Sequence, residues 1–486
     1  MKIQKNSNFK DGEFVVLLVK ELNFFDLTGD KSKTKGTSSK FYHIELQLSK
    51  QGQAQIHTSY GPTGFVQARE YRVFSSQVEA EKEFHKILKS KIKKGYHEID
   101  VAQRAYGSDE AKAITKPVAF KNVEDVSKPK SSLHKETQYL VDKLFSGTST
   151  FITQTLKCPL GQLTNNQIDA GRNCLEEAKK LLNGTKNARK EVERLTNDFY
   201  SLIPHNLGQG ARGRLEHLLL DSALKIAQKE QDLDDLLDAK SVGVQLVSND
   251  VEAKYKSLSS GIEFVPVDSY DFQWVQGMME GTKAKNHHHL GKIVLLKLWK
   301  VTRHNEEKYF LQTSERLASE YGKQIVPDVL KKYVIERPPS DLDALYKRAN
   351  TLPLWHGTRA SSLIGILKSG LLIRPSGAVI TGAMYGNNLY FGYCSKSVNY
   401  TNIQSSYWAN GKDETAFMFL LDTSLGNQKI ANGSFQYTKE NIKPCHSIWA
   451  KGGYSGVIND EFMLPEPSGP NQQHCIRYIV EFTCRR

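Results

Sequence analysis

The stretch Leu354-Trp355-His356-Gly357-Thr358-Arg359 decides how the C-terminal part of the chain is interpreted. An apolar run ends there in a histidine, and the glycine beside it has no side chain to keep another molecule at a distance. By itself, such a histidine is more often a hydrogen-bonded core residue than a functional one. Its meaning therefore depends on the segments that follow it.

Three later segments carry the other candidate residues. Residues 386–391 (GNNLYF) lead into residues 395–400 (SKSVNY), and residues 459–462 (NDEF) place a carboxylate between aliphatic and aromatic neighbours. Taken singly, the tyrosines in these segments are more often packing residues, and the glutamate is more often at the surface. Their joint occurrence, in this order, makes them candidates for one site.

Six ordered motifs in this region resemble the catalytic domain of the DNA-dependent poly(ADP-ribose) polymerases, a family of diphtheria-toxin-like enzymes. They occupy residues 354–358, 366–371, 380–386, 389–391, 395–400 and 460–462. Residues 158–163 and 197–205 are similar to the family's helical regulatory domain, and the first hundred residues look like its WGR module. The resemblance therefore covers most of the chain.

The resemblance implies an enzyme that cleaves the bond between nicotinamide and ribose in NAD. Positive charge develops on the ribose in the transition state, and a carboxylate hydrogen-bonded to the ribose 2′-hydroxyl stabilises that charge. The resemblance assigns this carboxylate to Glu461, which also polarises the acceptor hydroxyl. It adds His356 and Tyr390 as the other catalytic residues.

The same resemblance assigns the contacts with NAD. Tyr390 and Tyr400 stack on the nicotinamide ring. Gly357 and Ser397 hold its amide group, and His356 holds the adenosine ribose. The complete set of expected NAD-binding residues is His356, Gly357, Thr358, Gly365, Tyr390, Lys396, Ser397 and Tyr400.

Departures from the family pattern leave the product of the reaction open. Leu372 stands where the family usually has an arginine, and residues 386–388 (GNN) replace a glycine-lysine-glycine turn. The segment 447–461 is much shorter than usual on the acceptor side, so transfer of a single ADP-ribose is an alternative to chain growth. A DNA-break-binding adaptor with a weak catalytic domain is a further alternative, against which the intact catalytic set argues.

Composition points to a polyanionic partner. The 66 Lys and Arg against 53 Asp and Glu give a net charge of +13, which favours nucleic acid, an anionic membrane or a phosphorylated ligand. The longest early apolar run, residues 14–19, is too short for a signal peptide or a membrane span. Six cysteines without a C-x-x-C pair predict reduced thiols and no zinc site. The run His287-His288-His289 is interpreted as loop residues rather than as a metal site.

Much of the basic excess lies near the N-terminus, where the first 130 residues hold 23 Lys and Arg against 16 Asp and Glu. Three strand-like runs come first, at residues 13–18, 41–48 and 55–59. Residues 76–92 predict a helix that Gly95 ends, and its basic end, residues 89–94, is either a well-capped helix end or a phosphate-binding patch. Tyr60-Gly61-Pro62 stands where the family's WGR module has Trp-Gly-Arg.

Helical periodicity extends from residue 133 to about residue 283. Thr164 and Gln167 predict a capping box at the start of one helix. The pattern of residues 215–237 predicts one further helix over the whole segment. The glycine-rich run 208–213 has the spacing of a dinucleotide-binding fingerprint, but its helical neighbourhood favours a loop between helices. After residue 292 short strands and turns dominate, interrupted by a helical insertion at residues 305–345.

The sequence therefore predicts a multidomain α+β protein. A small β-rich WGR-like domain (1–103) and a linker (104–132) precede an all-α helical regulatory bundle (133–285) and a mixed α+β ADP-ribosyltransferase catalytic domain (286–486).

The predicted function is transfer of ADP-ribose from NAD to protein acceptors and to growing chains, with release of nicotinamide and activation by DNA breaks. NAD is the substrate and no metal is expected. The expected partners are DNA strand breaks and acceptor proteins, including the chain itself, and no membrane. The expected location is the nucleus for a eukaryotic source and the cytoplasm or nucleoid otherwise.

Overall fold

The computed structural model describes most of the chain. The described residues are 2–4, 7, 9, 14–26, 38–62, 67–99, 131–157, 160, 163–184, 189–206, 215–373, 384–409 and 411–485. They form two compact units, residues 1–124 with 150–247 and residues 125–149 with 248–486. No helix in the described residues is both long and apolar enough to cross a membrane. Most of the predicted linker and the glycine-rich run 208–213 lie outside the described residues.

The first unit contains an antiparallel sheet in the order β1-β5-β4-β3-β2-β6. Its strands are β1 (Lys2–Gln4), β2 (Phe14–Asp26), β3 (Ser38–Ser49), β4 (Ala54–Pro62), β5 (Ala68–Phe74) and β6 (His97–Ile99). Strand β3 alternates as predicted: Tyr42, Ile44 and Leu46 are buried against helix Gln77–Lys93. Its other face carries His43 and Glu45, because successive side chains of a strand point to opposite faces.

The ends of helix Gln77–Lys93 follow from its sequence. The Ser76 side chain accepts a hydrogen bond from the Glu79 amide at the first turn. The chain leaves the helix at Gly95, which has a φ of 86°, a conformation that glycine adopts without strain. The predicted helix and its glycine stop are both confirmed.

The other helices of the first unit pack around a single apolar core. They are Asn165–Gly184, Arg189–Leu202, Leu215–Leu218 and Ala223–Val242. The predicted capping box is confirmed, since the Thr164 amide donates to Gln167 Oε1 at 2.9 Å and the Gln167 amide donates to Thr164 Oγ1 at 3.2 Å. The prediction of one helix over 215–237 is wrong, because Ser222 caps a new helix by accepting from the Lys225 amide.

The second unit is built on a nine-stranded sheet in the order β12-β13-β14-β10-β9-β11-β15-β8-β7. Its strands are β7 (Ser260–Val265), β8 (Lys292–Arg303), β9 (Thr351–Gly357), β10 (Leu389–Gly392), β11 (Thr415–Ser424), β12 (Gln428–Ile430), β13 (Ser447–Ala450), β14 (Glu461–Leu464) and β15 (His474–Arg485). The prediction of helix through residues 260–265 is wrong. That short segment alternates buried and exposed residues and pairs with β8, and a run of six is too short to be distinguished from helix by its sequence.

Helices cover this sheet. They are Val251–Ser257, Tyr270–Gly281, Glu306–Glu320, Asp328–Ile335, Asp343–Ala349, Leu363–Ser369 and Cys394–Val398. The predicted helical insertion is therefore confirmed as three helices. Two of them, Glu306–Glu320 and Asp343–Ala349, pack onto the sheet, with Phe310 buried beside Tyr346 and Cys475, and Asp328–Ile335 packs on helix Tyr270–Gly281. The predicted fold class, a multidomain α+β protein, is confirmed. The exact domain boundaries stay predictions.

Candidate active site

Three neighbouring strands bring the predicted site residues together. In the centre of the sheet, β10 pairs with β9 on one side and with β14 on the other. Gly392 of β10 lies opposite both Trp355 of β9 and Glu461 of β14. The histidine-glycine pair and the glutamate are about a hundred residues apart in sequence, yet they lie one strand apart in the sheet.

His356 ends strand β9 with one ring nitrogen already occupied. Its Nδ1 lies 3.0 Å from the backbone oxygen of Tyr390. A carbonyl oxygen only accepts, so Nδ1 carries the proton and Nε2 is left as an acceptor. Burial lowers the pKa of His356, which keeps the ring neutral. The residue can therefore accept a hydrogen bond from a hydroxyl group.

Gly357 makes the closest backbone approach in the site. A Cβ atom at this position would lie 1.8 Å from the backbone oxygen of Ser397 and 2.6 Å from its carbonyl carbon. Ser397 is itself buried, and its hydroxyl donates to the backbone oxygen of Trp355 at 3.0 Å. Only glycine fits at position 357, so helix Cys394–Val398 lies directly against the end of β9.

Tyr390 is held by its phenol group. The hydroxyl donates to the backbone oxygen of Gly386 at 2.8 Å and accepts from the Tyr385 amide at 3.1 Å. Burial raises the pKa of Tyr390, and the negative charge of Glu461 adds to that effect. The phenol is thus protonated and engaged by the backbone, so the residue offers its ring rather than a mobile proton.

The turn before Tyr390 differs from the family pattern in a way that the structure explains. Gly386 has a φ of 97°, and a Cβ there would lie 2.5 Å from the backbone oxygen of Tyr437. Asn388 then donates its side-chain amide to the backbone oxygens of Tyr385 and Tyr437, at 2.9 and 3.1 Å. The asparagine thereby fixes a turn in which the family uses a second glycine.

Tyr400 adds a second aromatic surface. Its ring is stacked with that of Trp408, with centroids 6.2 Å apart and planes 20° apart. Burial raises the pKa of Tyr400, and Glu461 raises it further. Trp408 was not among the predicted residues, because a tryptophan in a turn-rich segment carries no motif of its own.

Glu461 begins β14, with its side chain 9% exposed and its carboxylate paired with the ammonium group of Lys396. The stem of Lys396 passes Gly392, where an added Cβ would lie 3.1 Å from its Cγ. Burial raises the pKa of the neighbouring Tyr385 to about 12, with the charge of Glu461 as the second cause. The carboxylate is therefore fixed in position and has a cation beside it.

The two remaining predicted contacts lie after the histidine-glycine pair in the sequence. Thr358 directly follows Gly357 and is half-buried, and Gly365 is buried in helix Leu363–Ser369. Leu372, at the position of the family's arginine, is 46% exposed. Arg374 lies outside the described residues.

Sequence reasoning missed a polar chain beside the site. His287 Nδ1 lies 2.9 Å from Ser395 Oγ, and its Nε2 lies 3.2 Å from Asn459 Nδ2. Burial lowers the pKa of His287 to about 4, helped by the charges of His289 and Lys396. Its partners are more than one hundred residues away in sequence. The histidine run was the only available signal, and it indicated a loop.

The segment between β13 and β14 is a compact turn. The Gly452 amide donates to Asp460 Oδ1 at 2.7 Å, and the Tyr393 hydroxyl donates to Asp460 Oδ2 at 2.8 Å. At the tip, Tyr454 is 67% exposed and Ile458 is 76% exposed. Asp460 therefore anchors a short segment directly before the glutamate.

Comparison with known families assigns all three parts of the chain. Residues 25–103 match the WGR domain, and residues 131–258 match the poly(ADP-ribose) polymerase regulatory domain. Residues 269–476 match the poly(ADP-ribose) polymerase catalytic domain. The chain therefore has the domain order of one class of protein, in which a WGR domain and a regulatory domain precede this catalytic domain. The chain belongs to the poly(ADP-ribose) polymerase family.

Relatives of known name cover most of this chain at low identity. Poly [ADP-ribose] polymerase 2-B of Oryza sativa subsp. japonica is 25% identical over 85% of the chain, and poly [ADP-ribose] polymerase 1 of Caenorhabditis elegans is 27% identical over 87%. The human protein mono-ADP-ribosyltransferase PARP3 is 24% identical over 88%. The chain spans 60%, 41% and 76% of the lengths of these three proteins, respectively.

Proposed function

We propose that this chain is an NAD-dependent ADP-ribosyltransferase that transfers ADP-ribose to protein acceptors and to growing ADP-ribose chains, and releases nicotinamide. The observation that carries the proposal is the placement of the Glu461 carboxylate one strand away from the His356-Gly357 pair, with Lys396 beside it. Family membership supports the same reaction.

NAD would be bound by the backbone at Gly357 and by the aromatic rings of Tyr390 and Tyr400. The absent side chain at Gly357 leaves its backbone accessible to the nicotinamide amide, and Ser397 turns its hydroxyl from Trp355 to that amide. The rings of Tyr390 and Tyr400 stack on the cationic nicotinamide. Nε2 of His356 accepts from the adenosine ribose, while Thr358 and Gly365 line the remainder.

The chemical step is cleavage of the nicotinamide-ribose bond. As the bond breaks, positive charge grows on the ribose and Glu461 accepts a strengthening hydrogen bond from the ribose 2′-hydroxyl. The ammonium group of Lys396 holds the carboxylate in position. The acceptor hydroxyl, polarised by the same carboxylate, then attacks the ribose carbon and releases its proton.

Replacement of Glu461 tests this assignment. Glu461→Gln keeps the size of the side chain but removes its charge, so turnover should fall by about 10²–10³-fold while NAD still binds. Chain elongation should suffer more than the first transfer. Glu440→Gln, in an exposed turn of the same domain, is the matched control. Long chains made at the normal rate by Glu461→Gln would show that the assignment is wrong.

Transfer of a single ADP-ribose is the second candidate, favoured by the short turn that Asp460 anchors before β14. Only 10 residues, 451–460, separate β13 from β14, which leaves little surface for a bound chain end. Product length on a gel after incubation with labelled NAD separates the two outcomes. A weakly catalytic DNA-binding adaptor is the third reading, and the complete set of His356, Tyr390 and Glu461 argues against it.

We also propose that the regulatory helix Lys135–Thr155 restrains the catalytic domain until DNA binds. The Tyr139 hydroxyl donates to the buried carboxylate of Glu481 at 2.8 Å. Further along the helix, Gly147 approaches Ala360, with only 3.8 Å from an added Cβ to the Ala360 Cβ. Ala360 lies three residues after Gly357, so a shift of this helix would reach the NAD site. DNA would act by favouring the released state.

DNA strand breaks are the proposed activating partner, recognised through the WGR domain. In this domain Lys91 lies 3.7 Å above the Tyr42 ring, which is stacked with Tyr60. Lys91 is therefore occupied by aromatic contacts, whereas Lys89, Lys93 and Lys94 are exposed. These three lysines support the phosphate-binding interpretation of the basic helix end. The remaining ring surface of Tyr60 would stack on an exposed base or sugar.

Acceptor proteins, including this chain itself, complete the proposed partners. A nuclear location belongs to the proposal for a eukaryotic source, because the DNA that would activate the enzyme is there. Localisation of a fluorescent fusion in the source cell tests that point.

A further inference from the structure

Three side chains on one face of the N-terminal sheet form a triangle of nitrogen and oxygen donors. They are His43 and Glu45 of β3 and His57 of β4, and one ligand atom of each lies within 4.8 Å of those of the other two. They lie outside the catalytic domain and play no part in the proposed reaction. We propose that these residues bind a divalent transition metal ion with the preferences of Zn²⁺.

The strand register creates the triangle. Glu45 lies directly opposite His57 in the β3–β4 pair, and His43 precedes Glu45 by two residues on the same face. The Glu45 Oε2 atom is 3.2 Å from His43 Nε2 and 3.7 Å from His57 Nδ1. The carboxylate thus lies between two imidazoles, on the face opposite the apolar core.

The neighbouring side chains hold this arrangement in place. Gln47 donates to Glu45 Oε1 at 2.9 Å, and the Tyr71 ring stacks on His57 at 4.7 Å. Such contacts orient metal ligands in known sites. The three donor side chains are only 13–19% exposed. The His57 atom that faces Glu45 is Nδ1, and its Nε2 is buried without a hydrogen-bond partner in the described residues, so no second hydrogen bond holds the ring in another orientation.

The donor set selects the class of metal. Two imidazoles and one carboxylate suit Zn²⁺ and similar ions, with bonds of about 2.0–2.2 Å and a fourth position open to water. A tetrahedral site with such bonds separates its ligand atoms by roughly 3.4 Å. Both separations from Glu45 are already near that value, and the two histidine nitrogens lie within 4.8 Å of each other.

Metal titration of the full chain, prepared without a histidine tag and freed of metal by a chelator, tests the proposal. Calorimetry with Zn²⁺ should show a saturable site that Glu45→Gln and His57→Phe each weaken at least 10-fold, since even loss of an outer partner costs about 10–100-fold. Phenylalanine keeps a ring against Tyr71. His85→Gln, an exposed histidine in the same domain, and His288→Ala, in the histidine run, should leave this site unchanged.

Two results would overturn the proposal. One is the absence of saturable Zn²⁺ binding by the wild-type chain, which would make the triangle a hydrogen-bonded ion pair only. The other is binding that neither the Glu45→Gln nor the His57→Phe variant weakens. Should both variants unfold, the absorption spectrum of Co²⁺ added to the wild-type chain decides whether the site binds metal. An absorption spectrum of a four- or five-coordinate site with nitrogen ligands supports the proposal, and the spectrum of a six-coordinate aqua ion contradicts it.

Discussion

Replacing Gly357 by alanine should remove most of the catalytic activity. The added Cβ would lie 1.8 Å from the Ser397 backbone oxygen, whereas ordinary contacts begin at 3.4 Å. The two backbone segments must therefore separate by about 1.6 Å, the difference between those distances. The obstructing atom belongs to the backbone and cannot rotate away, so the whole of helix Cys394–Val398 has to move.

That movement displaces two groups of the site at once. Ser397 and Lys396 both lie on this helix, and Lys396 is the ion-pair partner of Glu461. Misplacement of a catalytic group by about 1 Å can lower a rate about 10²-fold. We expect nicotinamide release by Gly357→Ala to fall by at least that factor at saturating NAD, with weaker NAD binding in addition.

The assay compares the initial rate of nicotinamide release with the thermal melting of the same samples. Gly277→Ala is the matched control, because its Cβ would lie at an ordinary 3.7 Å from Tyr333 and the position is inside helix Tyr270–Gly281. It should retain activity and gain up to about 1 kcal/mol from helix propensity. A folded Gly357→Ala variant with near-normal turnover would show that the close approach does not position the site.

Three further outcomes are expected. Tyr139→Phe removes a hydrogen bond to the buried Glu481 carboxylate, at a cost of about 1–3 kcal/mol. Because this bond holds the restraining helix, nicotinamide release without DNA should rise at least five-fold. Unchanged basal activity in the folded variant argues against restraint by the helix. Burial lowers the pKa of His287 to about 4 in the folded chain, so between pH 6.5 and 4 this residue takes up its proton mainly in the unfolded chain, and the free energy of unfolding should fall as the pH falls through that range; thermal melting should show a smaller fall for His287→Gln. Fluorescence anisotropy with nicked DNA should show that the logarithm of the binding constant falls linearly with the logarithm of the salt concentration. Lys93→Gln should reduce that slope by about 0.9, whereas Lys91→Met, a change inside the aromatic cluster, should leave it unchanged. Equal affinity for nicked and intact duplexes would refute break recognition.

Local features of the fold could be predicted from the sequence because they depend on a few neighbouring residues. The Thr164–Gln167 capping box, the helix stop at Gly95 and the alternating strand β3 each form as expected. The break at Ser222 was missed, since an amphipathic pattern on both sides hid a capping residue. Strand β7 was missed because six residues do not distinguish strand from helix.

The geometry of the site could not be predicted in the same way. Motifs indicated Gly357, Ser397 and Glu461 as candidates, but strand register decides which side chains meet across the sheet. The contact of His287 with Ser395 and Asn459 depends on three separate segments of the chain. Long-range pairing of this kind leaves no trace in local composition, so these partners became visible only in the folded chain.

The double pairing of β14 makes the position of Glu461 independent of the length of the turn before it. Glu461 is held by Ala450 of β13 and Gly392 of β10, independently of the turn that precedes it. Insertions or deletions around the exposed Tyr454 should therefore change the length of this turn without moving the carboxylate. If this turn forms the proposed acceptor surface, its length can change in evolution while Glu461 stays in place, and the same turn is where longer segments could be grafted to alter product length.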